Sequence, residues 1–388
     1  MKKIIELFQK ETVLCIAVLL AVISSFIILP DKEYAGYIDF RTLAILFCLM
    51  SVMAGLQQLG VFRMIAQKLL ARVTGSGQLI SLLVLLCFFF SMLITNDVAL
   101  ITFVPFTFTV LRLLGEEQER KLLVPVVILQ TIAANLGSML TPIGNPQNLY
   151  LYTKSGLSIG AFVLLMLPYT VISLILLLIC CFLLGRKEKD TSLSVSFTED
   201  TVMTGKGRTL AVYLLLFALC LLAVVHIVNI WVVLIIVLAV LLIMDRRVLA
   251  EVDYSLLLTF VGFFVFIGNM GRIPAFYNFL EGLVSGNEVL TSVVSSQVIS
   301  NVPAALLLSG FTENYKGLIV GTNLGGLGTL IASMASLISY KYIVRESKEK
   351  SIKSRYLIGF TISNILFLVV LLVVYILLGE GISIAYIG

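Results

Sequence analysis

The chain carries a carboxylate in the middle of an apolar segment. Residues 79–111 are apolar except at the centre, where Thr95, Asn96 and Asp97 follow one another. A carboxylate at bilayer depth costs about 2.5–3.5 kcal/mol on insertion scales, so it is rare there and usually marks an ion or substrate path. Asp97 is therefore a candidate cation ligand or proton carrier. The structural alternative is a buried carboxylate that accepts hydrogen bonds from nearby backbone amides.

A second polar interruption lies late in the chain, at Ser300, Asn301 and Val302, followed by a proline. Asn301 corresponds to Asn96 of the first interruption, whereas Val302 stands where the first has its aspartate. The two interruptions are therefore similar in form and unequal in chemistry. We expect a cation or proton to bind at the first and not at the second.

Each interruption is followed by a glycine-rich helix. In these helices Asn135-Leu-Gly matches Asn323-Leu-Gly, and Thr141 matches Thr329. The order of interruption and glycine-rich helix is the same in both halves. The pattern predicts one structural unit that the chain uses twice.

Composition identifies the class of protein. The chain has 388 residues, of which 60% are hydrophobic and 13% charged, and its mean hydropathy is +1.08. These values are typical of an all-α polytopic membrane protein and exclude a soluble domain. The net charge of +5 reflects basic cytoplasmic loops rather than nucleic-acid binding, and the six cysteines lie in apolar runs as small hydrophobes. We expect a multi-pass protein in the inner (plasma) membrane, surrounded by lipid.

A spanning helix needs about 20 predominantly apolar residues. This length predicts about nine spans, at residues 12–29, 40–59, 122–152, 159–184, 209–226, 230–244, 254–270, 316–340 and 356–378. Residues 79–111 are too long for one span and too short for two, and residues 276–310 are broken at Ser300. Both segments are predicted to be re-entrant hairpins, which enter the membrane and return on the same side.

The basic residues support this topology. If each hairpin counts as no crossing and the N-terminus lies inside, every cluster of Lys and Arg falls on the inner side, and the C-terminus lies outside. If the second hairpin were a full span, the most basic loop, residues 341–355, would lie outside. Residues 60–77 are predicted to include an amphipathic helix at the membrane surface.

The same count of membrane crossings predicts that the two units have opposite orientations in the membrane. The first repeat comprises residues 1–184, with its hairpin at 79–111 and a broken helix at 122–152. Residues 185–229 form a cytoplasmic linker and a connecting helix that reverses the direction. The second repeat comprises residues 230–388, with its hairpin at 276–310 and a broken helix at 316–340. Inverted repeats with broken helices are typical of secondary transporters.

Asn96 and Asn301 occupy matching positions at the hairpin tips, and an amide can donate and accept hydrogen bonds at once. Thr95 and Ser300 precede them and are suited to cap the following helices. Each tip also directs helix N-terminal amides to the membrane centre, where they favour an anion. Two roles are open for these side chains: direct contact with a ligand, or capping of the following helix without such contact. The candidate substrate-binding residues are Thr95, Asn96, Asn145, Ser300, Asn301 and Thr329.

Pro142 and Pro146 prevent an unbroken helix through residues 141–148. The freed carbonyls, with side-chain oxygens of this stretch, suit a hard cation such as Na⁺. The second glycine-rich helix has no proline, so we expect it to bend less. Its glycines, like Gly137, are alternatively packing residues between close helices. The candidate coupling-ion residues are Asp97, Asn96, Thr141, Asn148 and Asn323.

The sequence has no His/Cys/Asp cluster with metal-ligand spacing, no phosphate loop and no nucleophile elbow. The intramembrane region offers one acid and no nearby base, so an enzyme is the least expected class. Na⁺ as a coupling ion is the only cofactor that the residues suggest.

The chain resembles the ion transporter superfamily, which includes citrate symporters, divalent-anion/sodium symporters, arsenite permeases and NhaD-type antiporters. The resemblance covers nearly the whole chain and is closest to the small anion permeases of that group. It rests on residues 95–105, 135–146, 54–62 and 258–266. It implies an elevator-like carrier, often a homodimer, that holds its substrate between the hairpin tips. The sodium–dicarboxylate branch carries Ser-Asn-Thr at both tips, whereas Asn96-Asp97 is more like the arsenite branch.

The leading hypothesis is a secondary active transporter that moves a small anion, either a carboxylate or an inorganic oxyanion, by symport with H⁺ or Na⁺. The alternative within transport is an arsenite efflux permease or a Na⁺/H⁺ antiporter. The alternative of another class is a passive ion channel. The expected partners are the small solute, membrane lipid and a second copy of the chain.

Overall fold

The structure is a computed structural model that describes residues 11–186, 207–346 and 350–385, and within these ranges its regular secondary structure is helical throughout. The helices of the first half are α1 (Thr12–Ile27), α2 (Tyr34–Tyr37), α3 (Phe40–Gln58), α4 (Val61–Leu70), α5 (Ser76–Ile94), α6 (Asn96–Leu113), α7 (Glu116–Ser138), α8 (Pro146–Ser155) and α9 (Ile159–Gly185). Those that follow are α10 (Gly207–Val224), α11 (Ile230–Met244), a 3₁₀ helix (Arg246–Glu251), α12 (Tyr254–Gly271), α13 (Pro274–Val284), α14 (Glu288–Ile299), α15 (Asn301–Leu308), α16 (Tyr315–Leu324), α17 (Met334–Glu346) and α18 (Lys350–Ala385). The N-terminal lysines and residues 187–206 of the predicted linker lie outside the described residues.

Eight helices of the described ranges are long and apolar enough to cross a membrane: α3, α5, α6, α7, α9, α10, α12 and α18. The chain is thus a polytopic α-helical membrane protein. The predicted spans at 12–29 and 230–244 are the shorter helices α1 and α11, of 16 and 15 residues. Residues 79–111 were expected to be too short for two spanning lengths, and this is wrong. Helix α5 begins at Ser76 and α6 ends at Leu113, which gives them 19 and 18 residues.

The chain reverses direction at Thr95, which we call the first turn. Gln130 Nε2 donates to Leu83 O at 3.1 Å and to Thr107 Oγ1 at 2.8 Å. Leu83 and Thr107 lie equally far from Thr95 along the chain, so α5 and α6 pack antiparallel.

The chain reverses again at Ser300, the second turn. The Thr312 hydroxyl donates to Glu288 Oε1 at 3.0 Å, and these two residues lie equally far from Ser300 along the chain. Thr95 and Ser300 share an unusual backbone, with φ/ψ of 70°/150° and 74°/154°. Such angles cost a residue with a side chain on the order of 1–3 kcal/mol. The same strained conformation is therefore built twice, at matched positions.

The second antiparallel pair is shorter than the predicted segment 276–310. Helix α13 is a separate element that begins at Pro274, and Gly286 with φ 79° divides it from α14. The pair consists of α14 and α15, of 12 and 8 residues. The predicted boundary at 276 was wrong because an apolar run cannot reveal a left-handed glycine between two helices.

The predicted broken helices are interrupted at residues 139–145, the first break, and at residues 325–333, the second break. The second interruption is the longer of the two although it contains no proline, and the expectation that it bends less stays a prediction. Gly328 adopts φ 106°, and a Cβ there would lie 2.3 Å from Gln297 Oε1. A glycine with positive φ thus lies inside the second break, whereas the first break contains Pro142.

Each turn is hydrogen-bonded to the break of its own half. Asn96 N–H donates to Gly144 O at 3.0 Å, and Asn301 N–H donates to Ala332 O at 2.9 Å. Gly144 and Ala332 each follow the matched threonine of their break by three residues.

Those threonines make the equivalent contact in both halves. The Thr141 hydroxyl donates to Met92 O, and the Thr329 hydroxyl donates to Gln297 O. Met92 and Gln297 each lie four residues before the asparagine of their turn. The two halves therefore fix turn to break with the same pair of contacts.

The halves also pack against each other across the molecule. Helix α1 packs against α12, α11 packs against α3, α16 packs against α8, and α18 packs against α7, while the connecting helix α10 also packs against α3. Buried residues from both halves form one continuous apolar core. This packing holds the two turns and the two breaks in one interior region.

Candidate functional site: the region between the two turns

The first turn is capped by its own side chains. Thr95 Oγ1 accepts from Val98 N–H at 3.5 Å, and Asn96 Oδ1 accepts from Asp97 N–H at 2.9 Å. Asn96 is buried and its Nδ2 donates to Asn135 Oδ1 at 3.1 Å. The Asn96 amide thus caps α6 with one end and contacts α7 with the other.

The second turn repeats the asparagine part of this cap, whereas the Ser300 side chain, unlike that of Thr95, caps no backbone amide of the following helix. Asn301 Oδ1 accepts from Val302 N–H at 3.0 Å, and the Ser300 hydroxyl lies 3.4 Å from Asn301 Oδ1. Both residues are buried. The Asn301 side chain also lies beside Gly326, where a Cβ would come within 3.0 Å of its Nδ2. A side chain at position 326 would therefore require the amide to shift by a few tenths of an ångström.

A hydrogen-bonded chain joins the first turn to the second break. Asn135 Oδ1, which accepts from Asn96, also accepts from the Ser333 hydroxyl at 3.0 Å. Asn135 Nδ2 lies 3.4 Å from Gly326 O. Since Asn301 is held by Ala332 O, the residue next to Ser333, both turns belong to one polar network.

Three buried amides form a second part of this network. Asn145 Nδ2 donates to Asn323 Oδ1 at 3.2 Å, and Asn323 Nδ2 donates to Asn148 Oδ1 at 2.6 Å. Asn145 Oδ1 accepts from Asn148 N–H at 3.0 Å. The ring leaves little of the three side chains unpaired, as burial requires.

The contacts between the halves are reciprocal. Asn145 of the first break contacts Asn323 of the second half, and Ser333 of the second break contacts Asn135 of the first half. Asn145 and Ser333 each follow the matched asparagine of their half by ten residues. Reciprocal contacts between matched residues are what a two-fold relation between equivalent units produces.

The carbonyls freed at the first break are occupied by an amide donor. Ser138 O, Met139 O and Thr141 O lie 3.4, 3.5 and 3.2 Å from Asn148 Nδ2. In the second half, Gln297 Nε2 donates to Gly325 O and Leu327 O, both at 3.0 Å.

Two of the sequence-predicted residues direct their hydroxyls to their own antiparallel helix pair and not to the buried amides. The Thr141 hydroxyl is used on Met92 O, and Thr329 is exposed with its hydroxyl on Gln297 O. The other eight predicted residues lie at the turns or in the amide ring: Thr95, Asn96, Asp97, Asn145, Asn148, Ser300, Asn301 and Asn323.

A cavity of about 170 Å³ adjoins the first turn. Thr95, Asp97 and Asn145 line its inner end, apolar residues of α3 line its wall, and Glu251 and Asp253 line its exposed end. Asp97 Oδ1 is buried and accepts no hydrogen bond. Asp253 is close enough to act electrostatically on Asp97. This arrangement can hold a positive charge or a proton.

Several residues of this region escaped the sequence analysis. Gln147 is 1% exposed, and neither polar atom of its side chain has a partner. Ser333 could have been found by extending the alignment of the two breaks from their threonines. No sequence pattern would have identified Glu251 and Asp253, because only the packing of helices brings them to the cavity. Among the described residues, no group of three His, Cys, Asp or Glu could hold a metal ion.

Comparisons with known proteins agree with this architecture. The family model described as citrate transporter (CitMHS) matches residues 4–314. Inner membrane protein YbiR of Escherichia coli (strain K12) is 33% identical over 325 residues, which cover 82% of this chain and 84% of that protein. An uncharacterized transporter of Methanocaldococcus jannaschii is 34% identical over 318 residues, which cover 81% of this chain and 84% of that protein. The silicon efflux transporter LSI3 of Oryza sativa subsp. japonica is 32% identical over 183 residues, 46% of this chain and 35% of that protein.

The family match contains both turns and the first break, and the first two relatives are similar along most of both chains. Eight helices of the described ranges suit a membrane. The chain therefore belongs to the citrate transporter family and is a multi-pass transporter of the plasma membrane, not an enzyme.

Proposed function

We propose that this protein is a secondary active transporter that moves a small anion, a carboxylate or an inorganic oxyanion, in a step coupled to H⁺ or Na⁺. The observation that carries the proposal is the buried polar network that joins the two turns to the two breaks. Transporters of this kind bind solute where discontinuous helices meet near the membrane midplane. The candidate solute seat comprises Thr95, Asn96, Asn145, Ser300, Asn301 and Thr329.

In this proposal the two halves are inverted repeats. Helices α5 and α6, and helices α14 and α15, are re-entrant hairpins that enter from opposite faces, with the N-terminus inside and the C-terminus outside. The reciprocal contacts of Asn145 with Asn323 and of Ser333 with Asn135 support the two-fold relation. An elevator-like movement and a homodimer follow from the family resemblance.

The helix ends in this region favour a negatively charged solute. Helices α6, α8, α15 and α17 all begin in this region, at the two turns and after the two breaks. Helix N-termini carry partial positive charge, which favours an anion. Their combined field supports a small anion more strongly than any single side chain does.

Coupling is assigned to Asp97, Asn96, Thr141, Asn148 and Asn323. Asp97 contributes the only carboxylate at the first turn, and its buried oxygen has no partner. A buried carboxylate without a partner is costly unless a proton or cation joins it. Loading of Asp97 by H⁺ or Na⁺ thus stabilises one state of the transport cycle.

A second candidate is efflux of an uncharged hydroxylated acid such as arsenous acid, or Na⁺/H⁺ exchange. The carboxylates that line the cavity favour this candidate, because an anion that approaches through it meets like charge. The similarity to the silicon efflux transporter LSI3 points the same way.

The two candidates are separated by thermal unfolding of the purified protein in detergent. Di- and tricarboxylates, sulfate, phosphate and arsenite are each added with and without Na⁺. Stabilisation by one class of anion, followed by saturable uptake of it into proteoliposomes, supports the first candidate. Stabilisation by arsenite alone supports the second. Conductance that does not saturate would contradict both and indicate a channel.

A further inference from the structure

We propose that the cavity beside the first turn is a proton pathway, in which Glu251 and Asp253 pass protons between Asp97 and the aqueous face where α12 begins. The inference deepens the proposed function, since it rests on Asp97 as the group that is loaded during transport. It adds a route and two further residues, which lie about 150 positions away in the sequence.

The three carboxylates line one cavity and differ in exposure. Glu251 and Asp253 are exposed, and Asp97 is partly buried with one fully buried oxygen that has no hydrogen-bond partner. A cavity of about 170 Å³ far exceeds the roughly 10–15 Å³ of probe volume that one water requires. Water can therefore connect the acids from the surface to the buried oxygen.

The lining favours a proton over a metal ion. In the described ranges, no three acidic or other ligating side chains are close enough together to bind one ion. Most of the remaining lining is apolar and includes Leu46, Leu49 and Met53, with Gln57, Thr95 and Asn145 as its other polar residues. A proton can move along separated carboxylates by way of water, whereas a bare cation would meet few ligands along this lining.

The charged groups around the pathway leave its acids unneutralised. Glu11 accepts a hydrogen bond from Ser255 beside Asp253, which adds negative charge at the mouth. Arg246 and Arg247 lie on the same 3₁₀ helix as Glu251 and are exposed. Within the described ranges, no ion pair reaches Asp97, Glu251 or Asp253. Partial loss of hydration raises the pKa of the Asp253 carboxyl, and the negative charge of Glu11 acts in the same direction.

The first measurement tests which face supplies the proton. Sealed vesicles of either orientation are treated with dicyclohexylcarbodiimide, which modifies protonated carboxyls in apolar surroundings, while the pH of each face is set separately. Peptide mass spectrometry then measures modification at Asp97, with Asp97→Asn as the unlabelled control. The labelling is expected to follow the pH of the face where α12 begins. Labelling that follows only the opposite face would overturn the proposed route.

The second measurement tests the two residues. Rapid-mixing infrared spectroscopy follows the Asp97 carboxyl band after a pH step, in wild type and in the double variant Glu251→Gln, Asp253→Asn. The rate at which the Asp97 carboxyl band changes is expected to fall about tenfold or more in the double variant. Positioned proton-transfer groups change rates by about 10²-fold or more, so a loss of this size is what removal of a relay should produce. Asn preserves the N-cap that Asp253 provides to Leu256 N–H, so α12 keeps its start.

Asp39→Asn is the matched control. Asp39 caps α3 through Thr42 N–H in the way that Asp253 caps α12, and it does not line the cavity. In Asp39→Asn, the rate at which the Asp97 carboxyl band changes should equal the wild-type rate. An unchanged rate in the double variant, or an equal loss in Asp39→Asn, would refute the relay. Neither measurement uses a solute, so these outcomes are independent of whether the protein transports an anion.

Discussion

The two turns share a backbone and differ in what they present. Thr95 and Ser300 have the same strained angles, and the following asparagines make the same cap and the same contact with their break. One residue later the first half has Asp97 with an unpartnered oxygen, and the second has Val302, which is buried. Geometry is thus repeated while charge is not. Of the two matched positions, only the one in the first half carries a side chain that can bind a cation or a proton.

The two halves also differ in the side chains of the helices near the turns. Leu46 and Met50 of α3 line the open cavity. Their positions match those of Phe260 and Phe264 in the second half, because each pair follows the aspartate that precedes its helix, Asp39 or Asp253, by the same numbers of residues. In the second half the two phenylalanine rings pack against Tyr150, with centroids 6.1 and 5.6 Å away. Flexible aliphatic side chains leave space where the aromatic ones fill it. The comparison teaches that two halves with matching turns become unequal through the charge and the volume of their side chains.

The largest expected effect comes from removing the charge that distinguishes the first turn. We predict that Asp97→Asn lowers gradient-driven solute uptake about 100-fold, the scale of losing a preorganised charge in a low-dielectric site. Exchange of solute without a gradient should persist, because the amide keeps the size of the side chain. Uptake and counterflow in proteoliposomes measure the two rates. Gradient-driven uptake at the wild-type rate would remove Asp97 from the coupling mechanism.

The second prediction concerns how the breaks are made. Gly328→Ala forces a Cβ into contact with Gln297 Oε1 and strains a residue with φ 106°, so it should lower the free energy of unfolding by about 3 kcal/mol. Gly115→Ala is the matched control, since Gly115 has φ 100° with open space around it and suffers the backbone strain alone. Thermal unfolding in detergent compares the two variants. Equal losses would mean that the Gln297 contact contributes nothing to the second break.

The third prediction concerns the amides that join the halves. Asn145→Ala and Asn323→Ala each leave buried partners unsatisfied, so each should cost about 1–3 kcal/mol. Because the two side chains contact each other, the double variant should cost less than the sum of the single ones by about 1 kcal/mol. A double-mutant cycle of unfolding measures the coupling. Strict additivity would contradict direct contact between the halves at this point.

The smallest effect distinguishes the matched threonines. Thr141 is half-buried and Thr329 is exposed, although both donate to a carbonyl of their own antiparallel helix pair. Thr141→Val should cost about 1 kcal/mol, the net value of a hydrogen bond, and Thr329→Val should cost less because water replaces the lost partner. Unfolding midpoints of the two variants provide the comparison, and a larger loss for Thr329→Val would reverse the assignment.

Several features of this chain were readable from the sequence because they depend on neighbours in the chain. Apolar runs identified the membrane helices, and Thr95-Asn96-Asp97 and Ser300-Asn301 identified the turns, since a polar group must have a reason to interrupt such a run. The alignment of Asn135 with Asn323 located the two breaks. Helix ends were less accurate, as at α5, α6 and α13, because a left-handed glycine or a few flanking residues leave no periodic signal.

Tertiary structure alone decided which of these residues meet. The ring of Asn145, Asn148 and Asn323 joins positions far apart in the chain, and its pairing depends on how α8 packs against α16. The cavity likewise brings Glu251 and Asp253 to Asp97 through the placement of α12 beside α3. A sequence records which polar groups must be paired once they are buried. Packing of whole helices fixes the partners, because each contact depends on the relative position of elements that no local pattern encodes.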